Sequence, residues 1–201
     1  MYFFSLRANS VGQPTFVANF LTPEECASII TAGETTMQLH AGKTEDHRVH
    51  ENLRKSDIGW LNPDGDLRWL FAKVRDCISA VNSDWFRYDL TGFEGIQFTK
   101  YSSKGGGGDF YSSHVDTASL PGGTVRKLSF TIQLSEPDSY SGGDVVLYNS
   151  LIDSSNLSRA FGSISFFPSY TILTTALSIS LVLAIRWGTT TSGQLESRLR
   201  R

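Results

Sequence analysis

Asp109-Phe-Tyr-Ser-Ser-His-Val-Asp116 reads as a β-strand carrying an imidazole and a carboxylate two residues apart. Strand side chains alternate between faces, so His114 and Asp116 point to the same side. A histidine and a carboxylate on one face supply two of the three groups of a 2-His-1-carboxylate facial triad, the arrangement that holds non-haem Fe(II). The next strand-like run, Arg126-Lys-Leu-Ser-Phe-Thr-Ile-Gln-Leu134, alternates cleanly. Leu128, Phe130, Ile132 and Leu134 take one face, and Lys127, Ser129, Thr131 and Gln133 the other.

Further runs of period two fall at residues 85–90, 95–101, 143–148 and 163–167, separated by Gly, Asp, Ser or Pro clusters. Upstream the period lengthens. Thr22-Pro-Glu-Glu25 is a helix start: Thr22 caps, Pro23 suits the first helical position and Glu25 closes a capping box. That helix is expected to end near Gly33, after a short strand over 15–20. Residues 34–57 are polar and aperiodic, which predicts a long loop holding His40, His47 and His50. After the turn Asn62-Pro-Asp-Gly65, the stripe Leu67, Leu70, Phe71, Val74, Ile78 and Val81 has helical spacing and predicts a second helix lying on a sheet. Two helices followed by many short antiparallel strands predict an α+β, mainly β fold. Its expected form is a jelly roll (double-stranded β-helix) with N-terminal helices packed outside. The chain reads as a single domain over 1–201, with a helical elaboration over about 20–82 and a jelly-roll core over about 85–187.

Length and composition narrow the class. The chain has 201 residues, enough for a core without staples, and a formal net charge of −2 with dispersed basic residues. Nothing in that balance calls for nucleic acid as a partner. The two cysteines, Cys26 and Cys77, have no metal-binding spacing and read as buried thiols in helices. Residues 1–7 lack a charged start and an apolar stretch of signal-peptide type. The apolar run 171–185 is short and rich in Ser and Thr for a membrane span. The expectation is a cytoplasmic protein without a membrane partner; oligomeric state is left open.

Several motifs, in order along the chain, carry a resemblance to a known family. They are Phe16-Val-Ala-Asn-Phe-Leu-Thr-Pro-Glu-Glu-Cys26, Arg54-Lys-Ser56 with Trp60-Leu61, Gln97-Phe-Thr-Lys-Tyr101, the His114-x-Asp116 pair, Arg126-Lys-Leu-Ser129, Tyr140-Ser-Gly-Gly-Asp144 and Gly162-Ser-Ile-Ser-Phe-Phe-Pro-Ser169. Together they resemble the Fe(II)/2-oxoglutarate-dependent dioxygenases, in the branch of prolyl 4-hydroxylase-like catalytic domains, over about three-quarters of the chain. The resemblance implies an oxidoreductase that hydroxylates a C–H bond while 2-oxoglutarate is decarboxylated to succinate. It implies Fe(II) and 2-oxoglutarate as cofactors, with ascorbate as accessory reductant, and a small-molecule, amino-acid or peptidyl substrate. His114 and Asp116 would be the metal ligands and catalytic residues. Tyr101, on one face with Gln97 and Thr99, would line the 2-oxoglutarate or substrate pocket.

The chain departs from this family after residue 170. The positions where the family places its distal histidine and its carboxylate-pairing Arg or Lys are Leu173 and Leu183, and no histidine follows His114. Arg186 is the nearest basic residue for cosubstrate binding, three beyond the expected place. A replaced or frame-shifted tail from about residue 171 explains this, as does completion of the site by His47 or His50. A non-catalytic jelly-roll binding module is therefore the alternative to an enzyme, and a structural β-sandwich a third reading. Lys104-Gly-Gly-Gly-Gly-Asp109 lacks the ending of a phosphate cradle and reads as a hairpin loop. Ser113, His114 and Asp116 do not make a hydrolase triad, because triads assemble across a fold and no GxSxG elbow is present.

Overall fold

The computed structural model describes residues 13–37, 53–93, 95–102, 108–117, 119–120, 124–149, 152–156 and 159–176. Strand β1 (Thr15–Val17) leads into helix α1 (Pro23–Thr36). The capping box forms as the sequence predicts: the Glu25 amide donates to Thr22 Oγ1 at 3.2 Å and the Thr22 amide to Glu25 Oε2 at 2.8 Å. The entry strand is shorter than expected because Asn19 turns the chain at φ 52. The helix runs one turn past Gly33.

Strand β2 (Arg54–Lys55) lies inside the predicted loop, and β3 (Asp57–Leu61) begins at its last residue. The expectation of a loop over 34–57 is thus corrected at both ends. Residues 38–52, with His40, His47 and His50, lie outside the described residues. Helix α2 (Arg68–Val81) buries Leu70, Phe71, Val74 and Ile78, four members of the predicted stripe.

The predicted strand over 85–90 is corrected. A π-type turn occupies Asn82–Phe86, and Arg87 then sits in the left-handed region at φ 57. The Asn82 side chain brackets the backbone of Tyr88, accepting from its amide at 2.9 Å and donating to its carbonyl at 2.8 Å. Those bonds hold the segment compact, while Phe86 is buried.

The remaining strands are β4 (Ile96–Lys100), β5 (Phe110–Val115), β6 (Ser119–Leu120), β7 (Thr124–Val125), β8 (Leu128–Ile132), β9 (Val145–Asn149), β10 (Ile152–Asn156), β11 (Ile164–Pro168) and β12 (Ile172–Ala176). The short hairpin β6–β7 and strand β10 carry no expectation from periodicity. Sheet order is β1-β11-β8 in one sheet and β10-β9-β12-β5-β2 in another, with β3 paired to β4, all antiparallel. The fold is mainly β with two helices. The main core joins α1, α2, β4, β8 and β11 through Cys26, Ile29, Leu70, Val74, Ile96, Phe130 and Phe166. Leu128, Phe130, Ile132 and Leu134 are buried along β8 and just beyond it, and so are Ser129, Thr131 and Gln133 on the other face.

Candidate functional site

The site is set by how β5 meets its neighbours. β5 lies between β12 and β2. His114 pairs with Leu173 and Tyr111 with Thr175, so three steps along β5 match two along β12. One extra residue in β5 is a β-bulge, and it re-aims the side chains beyond it. A regular strand would put Tyr111 and His114 on opposite faces. The bulge instead lets their rings stack, with centroids 3.5 Å apart and planes 14° from parallel.

Ser112, inside the bulge, fixes the histidine. His114 Nδ1 is 2.7 Å from the Ser112 carbonyl oxygen. A carbonyl only accepts, so Nδ1 carries the proton and Nε2 keeps its lone pair. That Nε2 faces Asp116 Oδ1 at 3.6 Å. Burial holds the His114 imidazole below its ordinary pKa, against the opposing pull of Asp116 and the Ser112 carbonyl; Arg54 lowers it further. The imidazole is therefore neutral. A lone pair then faces a carboxylate, and both His114 Nε2 and Asp116 Oδ2 are buried without a hydrogen-bond partner. Such an arrangement is costly unless something cationic sits between the two groups. Bonds of roughly 2.0–2.2 Å to each donor span the gap, so the pair fits two positions of a divalent metal.

Among the described residues, no group of three or more His, Cys, Asp or Glu side chains is assembled for a metal. The position counted for a distal histidine lies in β12 directly across from His114, and it is Leu173. A leucine has no donor atom. Arg186, expected to bind the cosubstrate, lies outside the described residues.

Tyr101 is fully buried, and its hydroxyl makes no hydrogen bond of good geometry. Burial pushes its pKa up, partly offset by the nearby Arg54 guanidinium, while Asp116 and Asp109 push the same way as burial. The Tyr101 hydroxyl thus lies within electrostatic reach of both Arg54 and Asp116. Gln97 and Thr99 share a face of β4: Arg54 Nη2 donates to Gln97 Oε1 at 3.0 Å and to Thr99 Oγ1 at 3.1 Å.

Arg54 itself carries no functional expectation beyond belonging to a motif. It pairs across β2–β5 with Tyr111, and its guanidinium lies over the Tyr111 ring at 4.7 Å. Arg54, Tyr111 and His114 therefore form one stack. A buried arginine in a two-residue strand leaves no periodic signal, which is why sequence pattern passes it by.

Comparisons with known proteins show what the chain is similar to. Residues 96–188 match the 2OG-Fe(II) oxygenase superfamily. A PKHD-type hydroxylase of Shewanella baltica is 36% identical over 86 residues, covering 40% of this chain and 38% of that protein. One of Maricaulis maris is 29% identical over 143 residues, covering 68% of this chain and 49% of that protein. The chain spans less than half the length of these relatives. Among solved structures, a prolyl hydroxylase of Trichoplax adhaerens, in complex with a hypoxia inducible factor oxygen degradation domain peptide fragment, has a TM-score of 0.70. That likeness covers 94% of this chain and 88% of the other at 17% identity. A Pseudomonas putida prolyl-4-hydroxylase has a TM-score of 0.65 at 16% identity, covering 90% and 94%. Residues 96–188 are thus similar to the 2OG-Fe(II) oxygenase superfamily, and the fold is similar to that of prolyl hydroxylases.

Proposed function

We propose that the chain is an Fe(II)- and 2-oxoglutarate-dependent oxygenase that hydroxylates a C–H bond of an amino-acid, peptidyl or other small substrate. On this reading it is a single domain built on a double-stranded β-helix with helices outside. His114 and Asp116 hold the metal. Bound iron would supply oxidising chemistry coupled to decarboxylation of 2-oxoglutarate to succinate. His114 gives a neutral donor whose tautomer the Ser112 carbonyl fixes. Asp116 gives the negative charge that retains a divalent ion. The buried surroundings of both keep water from competing for them.

One observation carries the reading: His114 Nε2 and an oxygen of Asp116 face each other at 3.6 Å, with atoms of both buried and without hydrogen-bond partners. The similarity of residues 96–188 to the 2OG-Fe(II) oxygenase superfamily supports iron as the metal and 2-oxoglutarate as the cosubstrate. Ascorbate rests on the family resemblance alone.

The test is succinate formation. Purified protein with Fe(II), 2-oxoglutarate and O₂ should form succinate above an iron-free control, and His114→Ala should abolish it. Turnover unchanged in His114→Ala would exclude His114 as a ligand. A second reading, a binding module without chemistry, draws on Leu173 standing across from His114 and on the lack of a third donor among the described residues. It predicts that no succinate forms and that the unmodified protein does not bind iron tightly.

A further inference from the structure

The His114 imidazole is tied at one edge, where Nδ1 donates to the Ser112 carbonyl at 2.7 Å, and its Nε2 faces Asp116. One hydrogen bond leaves a ring free to tilt about the bonded nitrogen. The Nε2 lone pair lies in the ring plane, so a tilt swings it away from the carboxylate. The face of the ring therefore matters as much as its edge. The Tyr111 ring covers one face, with centroids 3.5 Å apart and planes 14° from parallel. The Arg54 guanidinium lies over the Tyr111 ring at 4.7 Å. Two planar groups do not fit on one face of a ring at such distances, so Arg54 takes the face that His114 leaves. Arg54 is 5% exposed, and hydrogen bonds pin it: Nε donates to Ser56 Oγ at 2.8 Å, and Nη2 to Gln97 and Thr99 of β4. The register of β2 on β5 sets it opposite Tyr111.

We infer that Tyr111 is a positioning residue for the metal-binding imidazole of His114, with Arg54 as the backing that keeps the tyrosine ring in place. The inference rests on the proposed oxygenase reading, in which His114 is a metal ligand. Each layer limits the next. Ser56, Gln97 and Thr99 fix the guanidinium, the guanidinium attracts the tyrosine ring from behind, and the ring stops the imidazole from tilting. A ligand already aimed has less freedom to lose when the ion arrives, and it binds more tightly for that reason. An aromatic side chain suits this task, because a flat ring constrains a plane where a leucine would only fill a volume. The bulge in β5 makes the contact possible by bringing residues 111 and 114 onto one side.

Two measurements on the full chain test this, neither of them turnover. The first is the NMR shift of the His114 ring protons in metal-free protein, assigned by their loss in His114→Ala. The second is the affinity for manganese(II). Tyr111→Leu removes the aromatic face, so the His114 signals should move downfield. Manganese should bind about tenfold more weakly, the low end of what losing a ligand's outer contact costs. Tyr111→Phe keeps the flat ring and should restore both readouts. Arg54→Gln removes the cation behind the ring and should move both in the same direction by less, with Arg54→Lys recovering part. If one of these sites does not tolerate its variant, the other decides. A folded Tyr111→Leu protein that binds manganese as wild type does would overturn the inference and leave the oxygenase reading standing. Weaker binding with the His114 signals unmoved would overturn it too, because the effect would then not pass through the imidazole. Wild type that binds manganese no better than His114→Ala would remove the oxygenase reading, and this inference with it.

Discussion

His114 is partly buried and Cys26 fully buried, and their surroundings lead to opposite chemistry. His114 is kept neutral with a lone pair aimed at a carboxylate, poised for a cation. Cys26 lies in the main core, where burial pushes its thiol up to about 11, and burial alone raises Cys77 to about 11 as well. Only the thiolate reacts with disulfide reagents. At pH 8 both side chains are protonated thiols, so native protein should react with Ellman's reagent far more slowly than a free cysteine. Both thiols should titrate fully once guanidinium unfolds the chain. Rapid labelling of either thiol in the native state would contradict the packing around α1 or α2.

At the scale of elements, the docking of α1 onto β4 turns on Gly33. A methyl group there would stand 2.1 Å from the Phe98 ring, closer than any real contact. Gly33 is buried in the last turns of α1, and Phe98 belongs to the core that β4 brings to the helix. Gly33→Ala gains helix propensity, worth about 1 kcal/mol. Overpacking of this severity costs about 1–3 kcal/mol or more, so the clash wins. Chemical denaturation should show a net loss of stability, with the midpoint moved to lower denaturant. Phe98→Leu in the same chain should recover part of the loss. A Gly33→Ala protein as stable as wild type would mean that α1 can lift off β4 at no cost.

Across the whole molecule, what alternation and helical spacing reveal is what burial rewards. The α2 stripe, the two faces of β8, the shared face of Gln97 and Thr99, and the His114–Asp116 pair all follow from side chains sorted between core and site. Three features escape that logic. β2 is two residues long, too short to show any period, although it delivers Arg54. Residues 85–90 alternate in type, but the Asn82 side chain and the left-handed Arg87 give the backbone other partners than a sheet. The closeness of Tyr111 to His114 contradicts simple counting, because a bulge changes the count. The resemblance counts Leu173 as the position of the distal histidine, and the register sets that residue opposite His114.

The bulge also makes one protonation state a matter of chain length. Deleting Ser113 would leave a straight strand in which Phe110 and Tyr111 still meet Ala176 and Thr175, and His114 still meets Leu173. Every ladder partner survives. What disappears is the detour that turns the Ser112 carbonyl back onto His114 Nδ1. The imidazole is then free to move its proton to the nitrogen facing Asp116 and donate to that carboxylate. The shortened protein should fold with little change in thermal midpoint yet hold manganese about 10–100-fold more weakly, the usual cost of losing a ligand's outer hydrogen bond. Undiminished manganese affinity would show that the tautomer needs no such anchor. A backbone one residue longer than its neighbour requires thus acts here as a proton lock.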